Sequence, residues 1–151
     1  MSTVALTGHT RGLGFLINNA LTSRDHIIVG FSRSTGCDIR DYTQVGRMIE
    51  TVKNFDWFIN CAHPDYCQSQ IAYRLMSNGF RGKILNIGSP AVHDPPLWTD
   101  LSLLEYLTQK TALYHAHQVL VKLYPDQLLI WEPDHTDDQK YVIENLTRIG
   151  L

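Results

Sequence analysis

Thr7-Gly8-His9-Thr10-Arg11-Gly12-Leu13-Gly14 is the stretch on which the reading of this chain turns. Residues 3–6 before it are apolar enough for a buried strand, and residues 13–21 after it have the apolar content of a helix. A strand that becomes a helix through three glycines permits a tight turn and a close backbone approach. The new helix then offers free N–H groups at its start. This combination predicts a phosphate, and in this strand-to-helix context a dinucleotide, as ligand.

Outward from that turn, short apolar runs alternate with helical segments. Strands are expected at 27–31, 37–39, 57–60, 83–87 and 128–131. Helices are expected at 42–52, where Val45, Met48, Ile49 and Val52 share one side, at 69–76, and from 102 to about 124. Ser102 is the expected cap of the long helix and Pro125-Asp126 its stop, with a last helix at 138–148. Residues 90–98, with three prolines, read as a loop. Near-continuous apolar strands between helices imply a parallel sheet covered on both faces. The expected class is therefore α/β, a Rossmann-like doubly wound sheet of about six strands in order 3-2-1-4-5-6 with five or six helices, in one domain spanning 1–151.

Composition fits that reading and narrows the partners. Of 151 residues, 44% are hydrophobic and 19% charged, and a chain of this length buries roughly 68–70% of its unfolded surface without needing a disulfide or metal. Thirteen Lys+Arg against fifteen Asp+Glu, a net charge of -2, argue against nucleic acid or an anionic membrane as partner. No apolar run is long enough for a membrane span, and no basic flank or cleavage site follows Met1, so the cytosol is the expected compartment. Cys37, Cys61 and Cys67 are odd in number and lack CxxC spacing, which reads as reduced thiols. His115 and His117 are two apart on one helix and His9, His93 and His135 lie in separate loops, so no metal site is expected. Trp57, Trp98 and Trp131 read as packing aromatics.

The spacing TGxxxGxG resembles the short-chain dehydrogenase/reductase family, and further landmarks follow in that family's order. Asp38-Ile39 resembles its adenine-contacting pair, and Asn60-Cys61-Ala62-His63 is similar to its NNAG segment. Asn86-Ile87-Gly88-Ser89 resembles the segment ending in the active-site serine, and Tyr106-Leu107-Thr108-Gln109-Lys110 has its YxxxK pattern. Pro133-Asp134 with Thr136 is similar to the PG segment on the nicotinamide side. The resemblance implies Ser89, Tyr106 and Lys110 as the catalytic set. It implies cofactor contacts from Gly8, Thr10, Arg11, Gly12, Leu13 and Gly14 in the turn, from Asp38 and Ile39, from Asn60, Ala62 and His63, and from Tyr106, Lys110 and Pro133. In the mechanism so implied, hydride passes between nicotinamide and a carbonyl carbon while Tyr106 supplies or removes the proton and Ser89 holds the oxygen. Residues four apart on a helix share one face, so Lys110 stands one turn from Tyr106, near enough to serve the phenol and a ribose.

Charge decides the cofactor. A site for NAD normally carries a carboxylate after the second strand, whereas this chain reads Phe31-Ser32-Arg33-Ser34 there. The Arg33 guanidinium, the Ser32 and Ser34 hydroxyls, and Arg11 in the glycine turn suit a 2′-phosphate, so NADP(H) is expected.

The chain also departs from the family pattern. Residues 68–77 contain no asparagine to match the one many relatives use in a proton relay, and His63 stands where the family has a small glycine. The chain reads as an unusually short member without the C-terminal seventh strand and substrate lid. Two functions follow: an NADP(H)-dependent oxidoreductase acting on a small carbonyl or alcohol, or a non-catalytic NADP(H)-binding sensor or interaction module. On the long helix, Leu103, Leu107, Leu113, Ala116, Leu120 and Leu123 suit the sheet, while Leu104, Ala112 and Val119 fall elsewhere. A helix apolar nearly all round needs a second cover, which predicts a homodimer or homotetramer.

Overall fold

The computed structural model describes residues 1–97 and 100–151. Its strands are β1 (Thr3–Thr7), β2 (Ile27–Phe31), β3 (Trp57–Asn60), β4 (Lys83–Ile87) and β5 (Leu128–Trp131). All pair in parallel, in the order β2-β1-β3-β4-β5. The helices are α1 (Gly12–Thr22), α2 (Tyr42–Val52), α3 (Cys67–Ser77), α4 (Leu101–Leu123) and α5 (Gln139–Ile149). Two short helical turns, Arg33–Thr35 and Pro90–Val92, complete the described elements.

The strands are apolar throughout because each face of the sheet has its own core. Ala5, Phe58, Ile84 and Leu128 point into the layer formed with α2, α3 and α4. Their neighbours Val4, Leu6, Trp57, Ile59, Leu85, Ile87 and Trp131 point into the layer formed with α1 and α5. Alternate side chains of one strand thus serve opposite cores. Arg24, just past α1, ties the two helices of the second layer by donating to the carbonyls of Leu151 (2.7 Å) and Ile143 (3.3 Å).

The expected strand at 37–39 does not form, which corrects six strands in the order 3-2-1-4-5-6 to five in the order 2-1-3-4-5. Local polar groups take up the backbone there. The Cys37 N–H donates to the Ser32 carbonyl (2.9 Å), the Asp38 N–H to the Gln44 side chain (2.7 Å), and the Arg40 N–H to the Asp38 carboxylate (3.0 Å). With its donors spent on turns, the segment cannot extend a ladder. Cys37 and Ile39 are still buried, packed as a loop in the α2 layer, and β2 becomes an edge with Ile27 exposed.

Two details of α4 also differ from expectation. Asp100, not Ser102, caps it, accepting from the Leu103 N–H at 2.8 Å. Leu123, expected against the sheet, is exposed, as are Leu104 and Val119, while Leu103 and Ala116 are half-buried. The stripe that is buried contains Leu107, Lys110, Leu113, His117 and Leu120, two of them polar. Trp57 and Trp131 are core residues, and all three cysteines are buried and free. Trp98 lies outside the described residues, so its expected packing role has no counterpart here.

Candidate active site

Along the carboxyl ends of the strands runs a groove of about 1140 Å³. Its first wall is backbone. Gly8 and Gly12 have φ of 74° and 53°, in the left-handed region that glycine tolerates. A Cβ on Gly14 would stand 2.1 Å from the Gly8 carbonyl oxygen, and one on Gly8 would stand 3.0 Å from the Ala62 Cβ. The turn therefore packs into α1 and against β3 only because these positions are bare. His9 turns away, its ring occupying the space that a Cβ on Gly30 would fill. Thr7, whose role the sequence did not disclose, is fully buried and its Oγ1 accepts from the N–H groups of Cys61 and Ala62, each at 3.0 Å. That clamp fixes the end of β3 beside the glycine turn.

At the β2 end the groove is lined by Phe31, Ser32, Arg33 and Ser34, with Arg11 facing them from the glycine turn. The Ser32 hydroxyl bonds the hydroxyls of Ser34 (3.0 Å) and Thr35 (3.1 Å), which gives this corner a fixed shape. Asp38 and Ile39 line the same end, with Arg40 joined to Asp65 at 2.9 Å across the loops.

At the other end Ser89, Tyr106 and Lys110 line the groove together, with Ala62, His63, Gly88, Pro133 and Thr136. Thr10, Gly12, Leu13 and Gly14 line it too, so of the residues expected to meet a cofactor Asn60 is the one that is not among the lining residues. Asn60 is fully buried beneath the groove, its amide donating to the Gln68 carbonyl (2.8 Å) and to Asn86 Oδ1 (2.9 Å). It braces α3 against the sheet and is not a groove contact.

Lys110 is buried, and its ammonium donates to Gln68 Oε1 and to the Ile87 carbonyl, both at 2.8 Å. Burial pushes its pKa down to about 8, with the nearby Cys61 thiol pulling the other way. Burial also pushes the Cys61 thiol up to about 11, leaving it protonated and inert. The Lys110 nitrogen lies 5.8 Å from the centre of the Tyr106 ring. The His63 ring meets Tyr106 edge to face, with centroids 5.5 Å apart, and burial followed by the Lys110 charge lowers its pKa. His63 therefore stands neutral against the phenol and beside the groove.

No family model and no curated protein sequence matches the chain. Solved structures do. A small-chain dehydrogenase superposes with a TM-score of 0.79 at 20% identity, covering 99% of this chain and 90% of the other. A metagenomic short-chain oxidoreductase in complex with NADP gives 0.78 at 16% identity, over 98% and 89%. The 3-alpha-hydroxysteroid dehydrogenase from Pseudomonas sp. B-0831, complexed with NADH, gives 0.76 at 16% identity, over 98% and 88%. With a glycine turn after β1, a parallel sheet and likeness across nearly its whole length, this chain has the Rossmann-like fold of the short-chain dehydrogenases/reductases.

Proposed function

We propose that this protein is an NADP(H)-dependent oxidoreductase that interconverts a small carbonyl compound and its alcohol. The observation that carries the reading is a single groove holding a bare glycine turn, an arginine and serine corner, and the Ser89, Tyr106 and Lys110 side chains. Cofactor binding alone does not need the serine and the tyrosine.

The residues present fit a nicotinamide dinucleotide. The bare Gly14 lets the turn pack tightly against the start of α1, whose first residues line the groove where a phosphate would sit, and Arg33 and Arg11 suit a 2′-phosphate. When bound, the dinucleotide supplies or accepts the hydride. Tyr106 gives its phenolic proton to the carbonyl oxygen in reduction and takes it back in oxidation. Ser89 donates a hydrogen bond to the same oxygen. The Lys110 ammonium favours negative charge on the phenol oxygen and donates its remaining N–H to a ribose hydroxyl. Abundant NADP(H) and three reduced thiols suit the cytosol, and the exposed Leu104, Val119 and Leu123 on α4 support assembly into a homodimer or homotetramer.

A panel of aldehydes and ketones, followed by NADPH absorbance, tests the reading. Turnover is expected to vanish in Tyr106→Phe while NADPH binding persists. Full activity in that variant would place the chemistry elsewhere. NADPH binding without turnover of any carbonyl would favour the non-catalytic sensor.

A further inference from the structure

Gln68, the second residue of α3, is 4% exposed, and Lys110, reaching it from α4, is 3% exposed. Among the described residues no carboxylate pairs with that ammonium. Its two bonds, to Gln68 Oε1 and the Ile87 carbonyl, both go to neutral acceptors. The Gln68 amide has one orientation open to it. Its Nε2 donates to the Asn60 carbonyl at 2.6 Å and to the Ile87 carbonyl at 3.1 Å, so Oε1 must face Lys110. Turning the amide over would set its oxygen against two carbonyls and its NH₂ against an ammonium. The backbone of Gln68 is held as well, because Asn60 Nδ2 donates to its carbonyl while also bonding Asn86.

We propose that Gln68 is the positioning residue of this site, its amide oxygen fixing the Lys110 ammonium beside the groove with one N–H left for the bound dinucleotide and the phenol. This rests on the function proposed above. A carboxylate at this place would hold Lys110 equally well but cancel its charge, whereas an amide holds the nitrogen and leaves the charge to act on the groove. The titratable groups facing Lys110 are Cys61 at the end of β3, His63 in the loop that follows, and Tyr106 one turn earlier on α4. None of these supplies a standing negative charge.

Lysine side-chain NMR on the full chain, without cofactor, reads the contact directly. The chain has five lysines, and the Lys110 signal is the one lost in Lys110→Arg. Gln68→Glu is expected to raise the Lys110 titration midpoint by about one pH unit or more, because it sets an opposite charge within hydrogen-bond reach. Gln68→Met is expected to lower the midpoint and to weaken NADPH binding by about tenfold or more. A space-filling role for Gln68 would move both variants alike, and that result would overturn the proposal. An unchanged midpoint in Gln68→Glu would overturn it too, as would NADPH affinity within about twofold of wild type in Gln68→Met. If circular dichroism shows that Gln68→Met does not fold, the Gln68→Glu midpoint decides alone. A wild type that binds no dinucleotide would defeat the proposed function, yet the two midpoints would still judge whether Gln68 holds Lys110.

Discussion

The two ends of the groove are built from different materials. The glycine end is shaped by backbone and by side chains that are missing, and a single added carbon on Gly14 would collide with the Gly8 carbonyl. The α4 end is shaped by buried polar side chains drawn from four elements, in which Lys110, Gln68, Asn60 and Asn86 are joined by hydrogen bonds. Backbone sites tolerate no added bulk, whereas side-chain networks tolerate bulk but depend on charge and on every partner being present.

Substitution at the glycine end is the severest way to probe that contrast. Gly14→Val is expected to weaken NADPH binding more than about a hundredfold and to cost about 1–3 kcal/mol of stability, since neither the Gly8 carbonyl nor the helix can withdraw cheaply. Fluorescence titration and thermal melting measure both. Binding within tenfold of wild type would mean that the turn is not the phosphate site.

At the other end, Lys110→Met is expected to lower NADPH affinity while raising stability at pH 7, the signature of a residue kept for function. Folded Lys110 titrates near 8 against an ordinary 10.5, so below pH 8 the folded chain carries a buried ammonium at a cost of about 3 kcal/mol. The unfolded chain binds that proton more tightly, and the cost therefore fades as pH rises from 8 to 10.5. Methionine removes it but orphans the Gln68 oxygen at about 1 kcal/mol, the Ile87 carbonyl keeping the Gln68 amide as its donor, which leaves a net gain of about 2 kcal/mol at pH 7. That gain should turn into a loss by pH 10. Denaturant melts at the two pH values check the reversal, and a destabilised variant at pH 7 would show that Lys110 is there for packing.

A smaller effect is expected where the groove is polar but solvated. Arg33→Ala and Arg11→Ala together should erase a preference for NADPH over NADH of about tenfold while leaving NADH affinity unchanged. Equal losses for both cofactors would assign the arginines to general phosphate attraction instead. The smallest effect on either end should come from α4's outer face. Leu104→Glu with Val119→Glu is expected to convert an oligomer to monomer in light scattering and to leave the circular dichroism spectrum unchanged. A wild-type monomer at micromolar concentration would refute the assembly.

Much of the glycine end was legible because its information is local. Positive φ, a strand before and a helix after are written into consecutive residues, and spacing alone places Gly8, Gly12 and Gly14 on one turn. Strand positions 27–31, 57–60, 83–87 and 128–131 were likewise readable, since a strand buried on both faces must be apolar without interruption. Residues 37–39 misled for the opposite reason. Three apolar-flanked residues look like a strand, but side chains of Asp38 and Gln44 claim the backbone donors, and that competition depends on where α2 packs.

YxxxK showed in the sequence that Tyr106 and Lys110 share a face of α4. It could not show that Lys110 is buried with its charge inside, because a lysine beside the sheet-facing leucines Leu107 and Leu113 ordinarily extends its ammonium to solvent. Nor could it reveal Gln68, which lies 42 residues from Lys110 and belongs to a different helix. Residues within one turn of each other meet by helix geometry, and sequence spacing suffices to pair them. Groups from α3, α4, β3 and β4 meet only after the sheet has fixed their register, and whether a buried amide becomes the partner of a buried ammonium is settled by desolvation in the assembled core.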